Sequence, residues 1–473
     1  MRFARRTKVA VWGLALGTLA ACAAEGTPPG HGRPSVTPQA RGEGAGERRP
    51  FTVVATGDVI PYPSIIRQAQ NDAAQNGGAQ NGGGAATGRA VASGSPARTP
   101  GATGISAIAP GTTGTGATAP RATGTGVTGT RATAPGVTGA DVTGARAPGA
   151  TGTRATAPGA PGPGRYDFSR ILSGVKPVVD GADLAICHME TPYGPPEGPF
   201  TGYPAFQSPP DVARGLRATG YDSCSTASNH TLDAGPEGIR RTLDALDAAG
   251  VRHAGSARSA AEARTPARLR AGGAEVAHLS YTYGTNGIPL PEGKPWAVNL
   301  LDPGRVVADA RAARRAGADV VLVSLHWGTE WQQEPDRQQL DFARRLTAAR
   351  TGGKPDIDLL IGTHNHVPQP YEKVNGTWVV YGLGDQVASF VPEKYRGNEG
   401  SMARFTFAPA PKGDRWTVSA AEFLAGHSDL GPPFRVVTAT AGRFPDVRER
   451  VRKAVLSRGA AQDGLKEMRQ PEG

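Results

Sequence analysis

The chain predicts a layered α/β fold. Apolar, strand-like runs alternate with amphipathic helical segments through most of its ordered length, the pattern of sheets covered by helices. Five of those runs end in polar side chains able to bind metal, as expected where strand ends line a binding crevice. A break in composition then divides one domain, at about 51–455, into two stretches separated by an insert at about 70–164.

The N-terminus carries Arg2, Arg5, Arg6 and Lys8, then an apolar run from Val9 to Leu19. That run is too short to span a bilayer and reads as an export signal over residues 1–22. Its end, "LAAC", resembles a bacterial lipoprotein box with Cys22 as the lipidated residue. Acyl chains there would hold the protein on the outer face of a membrane, and plain secretion is the alternative. Residues 23–50, rich in Pro, Gly and Ala, read as a flexible tether.

"FTVVATGDVI" starts the domain as a strand. Between Pro63 and Arg165 there is no leucine and no aromatic residue, and the octet "GTRATAPG" occurs at 129–136 and again at 152–159. Such a segment buries too little apolar surface to offset its ordering entropy, so disorder is expected. A long loop insert costs little, because closure entropy grows only logarithmically.

From Tyr166 the sequence reads helix, strand, loop ("YDFSRILSGVKPVVDGADLAICHMETP"), and "DVARGLRATGYDSCSTASNHTLD" repeats the rhythm. "GPEGIRRTLDALDAAG" is a helix between Pro236 and Gly250. "AEVAHLSYTY", "ADVVLVSLHWG", "IDLLIGTHNH", "TWVVYGLGDQV" and "ARFTFAPA" are strands, with helices at "PGRVVADARAARR" and "DRQQLDFARRLTAAR". A last helix is expected within 442–459, and residues 456–473 end as a polar tail. Cys187 and Cys224 each lie in an apolar run. They could pair or stay as buried thiols, and the sequence leaves both readings open.

The formal charge of +11 does not point to nucleic acid. Residues 83–164 hold six arginines against one aspartate, and the export signal adds four positive charges, so the folded remainder is close to neutral.

The chemistry gathers at strand ends. Asp58 follows the first strand, His188 and Glu190 follow "LAIC", and Asn229 and His230 follow "SCSTAS". His326 ends "VVLVSL", and His364 and His366 follow "DLLIG". Singly, these are a turn, a helix cap or loop histidines. Together they form a mixed carboxylate, imidazole and amide set suited to a borderline divalent ion such as Zn²⁺, Mn²⁺ or Fe²⁺. One or two such ions can activate water. Histidines two apart on an extended segment point to one side, which would bring His364 and His366 to one centre or two adjacent ones.

"GDV" (57–59), "METP" (189–192), "SNHTLD" (228–233), "LHWGTEW" (325–331), "IGTHNHVPQP" (361–370) and "YGLGDQV" (381–387) resemble, in order, the motif series of the CapA family. These are poly-γ-glutamate capsule biosynthesis proteins whose fold is similar to calcineurin-like metallophosphoesterases. The resemblance implies a metallophosphoesterase-like sheet sandwich flanked by helices. It implies that Asp58 and His366 hold a first metal, that Glu190 bridges, and that Asn229, His326 and His364 bind a second. His230 would face substrate as proton donor or oxyanion stabiliser. The implied function is a metal-dependent hydrolase or transferase acting on an anionic envelope polymer or a peptide-like substrate. The alternative is a non-catalytic, lipid-anchored accessory subunit that binds polymer or a membrane synthase complex.

Four departures stand out. Ile60 occupies the third position of the Asp-x-His signature, and His188 lies where relatives often have Asn. Asp385 replaces a common Asn. The Gly-His-His-Pro-His motif reads Gly362-Thr363-His364-Asn365-His366.

Overall fold

A computed structural model describes residues 48–81, 165–411 and 415–469. Cys22, nearly all of the tether and most of the insert lie outside those residues.

Strand β1 (Phe51–Val59) leads into helix α1 (Pro63–Asn81). Then come α2 (Phe168–Ile171), α3 (Lys176–Asp180), β2 (Leu184–Met189), α4 (Asp211–Thr219), β3 (Ser223–Ser225), α5 (Gly235–Ala249) and β4 (Arg252–Ala254). The chain continues through α6 (Ala260–Ala263), β5 (Ala267–Ala271), β6 (Ala274–Thr282), α7 (Pro303–Arg315), β7 (Val320–His326) and α8 (Arg337–Ala348). A small hairpin, β8 (Arg350–Thr351) and β9 (Lys354–Pro355), precedes β10 (Leu359–Thr363), β11 (Tyr371–Val374), β12 (Thr377–Val380) and β13 (Asp385–Val387). Last are β14 (Glu399–Pro409), β15 (Trp416–Asp429), β16 (Arg435–Thr438), α9 (Pro445–Leu456) and β17 (Leu465–Glu467).

One sheet runs β16-β15-β14-β1-β2-β3-β4, with β13 beside β1 and β17 beside β15; the other runs β11-β12-β10-β7-β6-β5. The first is parallel from β1 to its β4 edge and antiparallel from β1 to β16, whereas the second is parallel at its centre with an antiparallel strand at each edge. Apolar side chains from the two facing sheets, such as Val53, Ile186, Val276, Leu322 and Phe405, form one core. α1–α5 pack a second core on the outer face of the first sheet, and α7 and α8 a third on the second sheet. The architecture is thus the expected α/β sheet sandwich flanked by helices. No helix among the described residues is long and apolar enough to cross a membrane.

Local chemistry sets the helix ends. Asp302 and Asp336 accept from the backbone N–H groups of Arg305 and Gln339, the latter in a reciprocal capping box. Gly220 and Gly250 close α4 and α5 in the left-handed conformation.

Three expectations change, and one open question is decided. The insert does not begin at 70: α1 runs on to Asn81, because Ala69 and Asp72 are buried and Arg435 donates to both Asp72 oxygens, at 2.9 and 3.1 Å. The tail does not start at 456: Leu465–Glu467 pairs with β15, and Ala460, Leu465 and Met468 are buried. "TWVVYGLGDQV" is two strands, β12 in one sheet and β13 in the other. The crossing brings Gly384 onto β1, where a Cβ on Gly57 would lie 1.7 Å from the Gly384 carbonyl, so that approach requires glycine. Finally, Cys187 and Cys224 face each other in register on β2 and β3 and are joined by a disulfide.

Candidate metal centre

Neighbouring strands deliver their terminal residues side by side. Asp58 on β1 is in register with His188 on β2 and with Asp385 on β13. His326 on β7 is in register with Thr363 on β10. Loops after β2, β3 and β10 add Glu190, Asn229, His230, His364 and His366, all buried. Every residue expected at the centre is therefore present in one place.

Ligand atoms converge in two overlapping groups, Asp58 with His188 and His326, and Asp58 with Glu190 and His366. Within each group they lie inside 4.8 Å of one another. Asp58 is the residue common to both, where the resemblance had given that role to Glu190. Asn229 joins the first group through its Oδ1, 2.9 Å from His326 Nε2. His364 is tied in by its backbone N–H, which donates to Asp58 Oδ2 at 3.1 Å, and its ring centre lies 4.6 Å from that of His326. His188 supplies an imidazole from the strand next to Asp58, its Nε2 3.5 Å from Asp58 Oδ1, while Ile60 has none to offer.

His364 and His366 are not on an extended segment. They follow β10 in a bend, with φ of 94° and 57°, and their ring centres are 6.1 Å apart. Left-handed backbone is rare for such residues and is held here by the surrounding contacts.

Outer partners aim the rings. His188 Nδ1 meets Ser225 Oγ at 2.7 Å, His326 Nδ1 meets Thr363 Oγ1 at 3.2 Å, and His366 Nδ1 donates to Asp385 Oδ1 at 3.0 Å. His230 Nδ1 donates to Asp233 Oδ2 at 2.7 Å. Such partners fix tautomer and orientation.

The electrostatics divide the centre. Burial lowers the His188 and His364 imidazoles to about 3, helped by neighbouring histidines, and takes His326 well below its ordinary value. The His188–Asp58 contact is therefore neutral imidazole against carboxyl. Burial also opposes protonation of His366, but Asp385, Glu190 and Asp58 outweigh it and raise that ring to about 10. Burial raises Glu190 to about 7 and Asp58 well above its usual range, the latter reinforced by Glu190 and Asp385. For His230 burial works against protonation, and Asp233 and Glu190 reverse it to a net rise.

A divalent ion suits this donor set. Asp58 Oδ1, His188 Nε2, both Glu190 carboxylate oxygens, His364 Nδ1 and Asp385 Oδ2 are buried without a hydrogen-bond partner. Each such group ordinarily costs about 1–3 kcal/mol, so six clustered at one place are accounted for by a cation.

An aromatic wall surrounds the centre, and the motifs did not reveal it. Tyr283 lies 4.5 Å from His364, Trp331 5.2 Å and Phe390 5.5 Å from His366, and Phe206 4.8 Å from His230, between ring centres. Tyr283 and Asp385 also follow strand-like runs, so the strand-end rule that found Asp58 would have found them.

Fold and site define a layered α/β protein with a candidate divalent-metal centre at the carboxyl ends of its strands. Residues 52–389 match the family described as bacterial capsule synthesis protein PGA_cap, and the chain belongs to it. It is 31% identical over 195 residues to a probable polyglutamine synthesis accessory protein of Mycobacterium tuberculosis, covering 38% of this chain and 49% of that one. It is 28% identical over 179 residues to the PGA biosynthesis protein CapA of Bacillus subtilis, covering 36% and 44%. The matches thus span about half the length of these relatives or less. Among solved structures it is similar to a calcineurin-like phosphoesterase from Bacillus subtilis, with 16% identity and a TM-score of 0.33 over 61% of this chain and 89% of that one. For a Haemophilus influenzae NAD nucleotidase the figures are 12%, 0.34, 64% and 52%.

Proposed function

We propose that this chain is a cell-envelope hydrolase or transferase that uses one or two divalent ions, Mn, Fe or Zn, on an anionic peptide-like polymer of the poly-γ-glutamate type. The observation that carries this reading is the set of buried, unpartnered carboxylate and imidazole atoms around Asp58. Asp58, Glu190 and His366 would hold one ion. Asp58, His188 and His326, with Asn229 and His364 in reach, would hold the other. Bound there, such ions supply Lewis acidity and acidify water enough to make it a nucleophile near neutral pH.

The chain's own groups do the rest. His230, fixed through Nδ1 by Asp233 and held toward its protonated form, is placed to deliver a proton from Nε2 to a leaving group. Tyr283, half exposed, marks the mouth beside His364. The rings of Trp331, Phe390 and Phe206 line the centre with surface that water does not wet well. The test is metal content by elemental analysis, with turnover of poly-γ-glutamate and a phosphodiester measured side by side. Stoichiometric divalent metal and polymer cleavage are expected, with cleavage lost in H326A and H366A. Absence of stoichiometric metal binding would sink the proposal.

A second reading, a non-catalytic accessory subunit anchored through Cys22 to a membrane synthase complex, draws on Ile60 in place of the signature histidine and on the word "accessory" in a relative's name. Full restoration of polymer by a D58N/H366A protein in a deletion strain would favour it. Loss of membrane association in C22S tests the anchor, with secretion as the other outcome.

A further inference from the structure

A second cavity, of about 840 Å³, shares no lining residue with the metal centre. It lies where β4, at the edge of one sheet, meets β5 and β6, at the edge of the other, and α6 and α7 also line it. Ligand sites commonly fall in the range of about 300–1,000 Å³. On its floor Ser280 Oγ is buried with no hydrogen-bond partner, a costly arrangement for a hydroxyl. Gly255 leaves the backbone bare beside it: its φ is 119°, and a Cβ would stand 2.8 Å from that oxygen.

The walls are cationic. Five arginines line the cavity against three carboxylates. Arg258 already engages Asp244 and Asp247 at 2.7 Å as well as Glu262, and Arg305 holds Asp309 at 3.5 Å. Those pairs account for all three lining carboxylates. Arg252 and Arg264 have no ion-pair partner among the described residues. Guanidinium forks match the two oxygens of a carboxylate, and the Ser280 hydroxyl adds a buried donor.

We propose that this cavity is a second binding site, for a multiply charged carboxylate chain. Its oxyanion chemistry rests on the arginines and Ser280. The choice of a peptide-like chain rests on the function proposed above.

The test is calorimetric titration of the full chain with tri-γ-glutamate, with neutral triglutamine amide as control and tripolyphosphate as a third arm. In D58N protein, whose metal centre is disabled, one equivalent of tri-γ-glutamate is expected to bind. R252A and R264A should each weaken it about tenfold or more, the usual worth of a charged hydrogen bond. A312E, on an exposed face of α7 that lines the cavity, should abolish it without disturbing the fold. S280A should weaken binding while leaving the melting temperature unchanged or higher, since it removes an unpartnered polar atom; a merely structural serine would move the melting temperature alone. Binding retained in D58N separates this cavity from the metal centre, and binding lost there overturns the proposal. So does wild-type affinity in A312E, or equal binding of the neutral control. Tripolyphosphate binding without tri-γ-glutamate binding overturns the carboxylate assignment.

Discussion

The two halves of the metal centre are built from opposite chemistry. Around His366 stand three carboxyl groups, Asp58, Glu190 and Asp385, and that one imidazole is driven toward its cationic form, at about 10. Around His326 stand two more imidazoles, His188 and His364, with the Asn229 amide, and burial keeps them neutral. The acid-rich half gathers carboxyl groups that hold protons when metal-free and can exchange them for a cation. The imidazole-rich half offers neutral, softer donors at little electrostatic cost. Asp58 belongs to both, so the halves are coupled through one side chain.

That coupling makes Asp58 the most damaging position. D58N should lose both ions together, with affinity falling by more than the roughly 10–100-fold expected of outer partners. Measured by elemental analysis after dialysis, retention of one full equivalent would break the picture of a shared carboxylate. Next in size, H366A and H326A should each lose one equivalent and keep the other. If both variants lose the same share, the division into halves is wrong.

The acid-rich half also predicts a pH dependence for metal-free protein. Glu190 titrates at about 7 when folded, against an ordinary value of 4.5. The folded state therefore holds a proton that the unfolded chain releases above 4.5. Stability from Glu190 is fully present below that value and is lost as pH rises to about 7. E190Q cannot ionise, so it should gain on wild type across that window, by at most about 3 kcal/mol. Chemical denaturation of chelated protein at pH 4.5, 6 and 7.5 measures this. A difference constant with pH would mean that Glu190 is ionised throughout.

Much of this was legible in the sequence because a strand end is a fixed address. Asp58, Glu190, Asn229, His230, His326, His364 and His366 each follow an apolar run, and parallel strands in a sheet put those ends side by side. Three-dimensional detail was less accessible. The extended reading of "THNH" failed because tertiary contacts hold His364 and His366 in left-handed backbone. The break of "TWVVYGLGDQV" between two sheets leaves no mark on hydropathy, since both halves are buried. α1 outlasts its apolar pattern because an ion pair, Asp72 with Arg435 from the far end of the chain, holds it. The aromatic wall comes from four separate segments, and no local spacing links Phe206, Tyr283, Trp331 and Phe390.

The subtlest comparison concerns Asp385. Its Oδ1 accepts from His366 Nδ1, a role an amide oxygen could fill, so D385N should keep the ring in place. What it removes is charge. With a cation bound, that charge strengthens the acid-rich half, and D385N should weaken that half's affinity about tenfold, at the low end for an outer partner. Without a cation, the same carboxyl crowds Asp58 and Glu190; burial raises it above its ordinary range, and His366 pulls it back only in part. Chelated D385N should therefore melt higher than chelated wild type. Opposite signs in the two measurements would identify Asp385 as a carboxylate kept for the metal. A variant that moved both in the same direction would instead be a strand residue whose loss loosens β13.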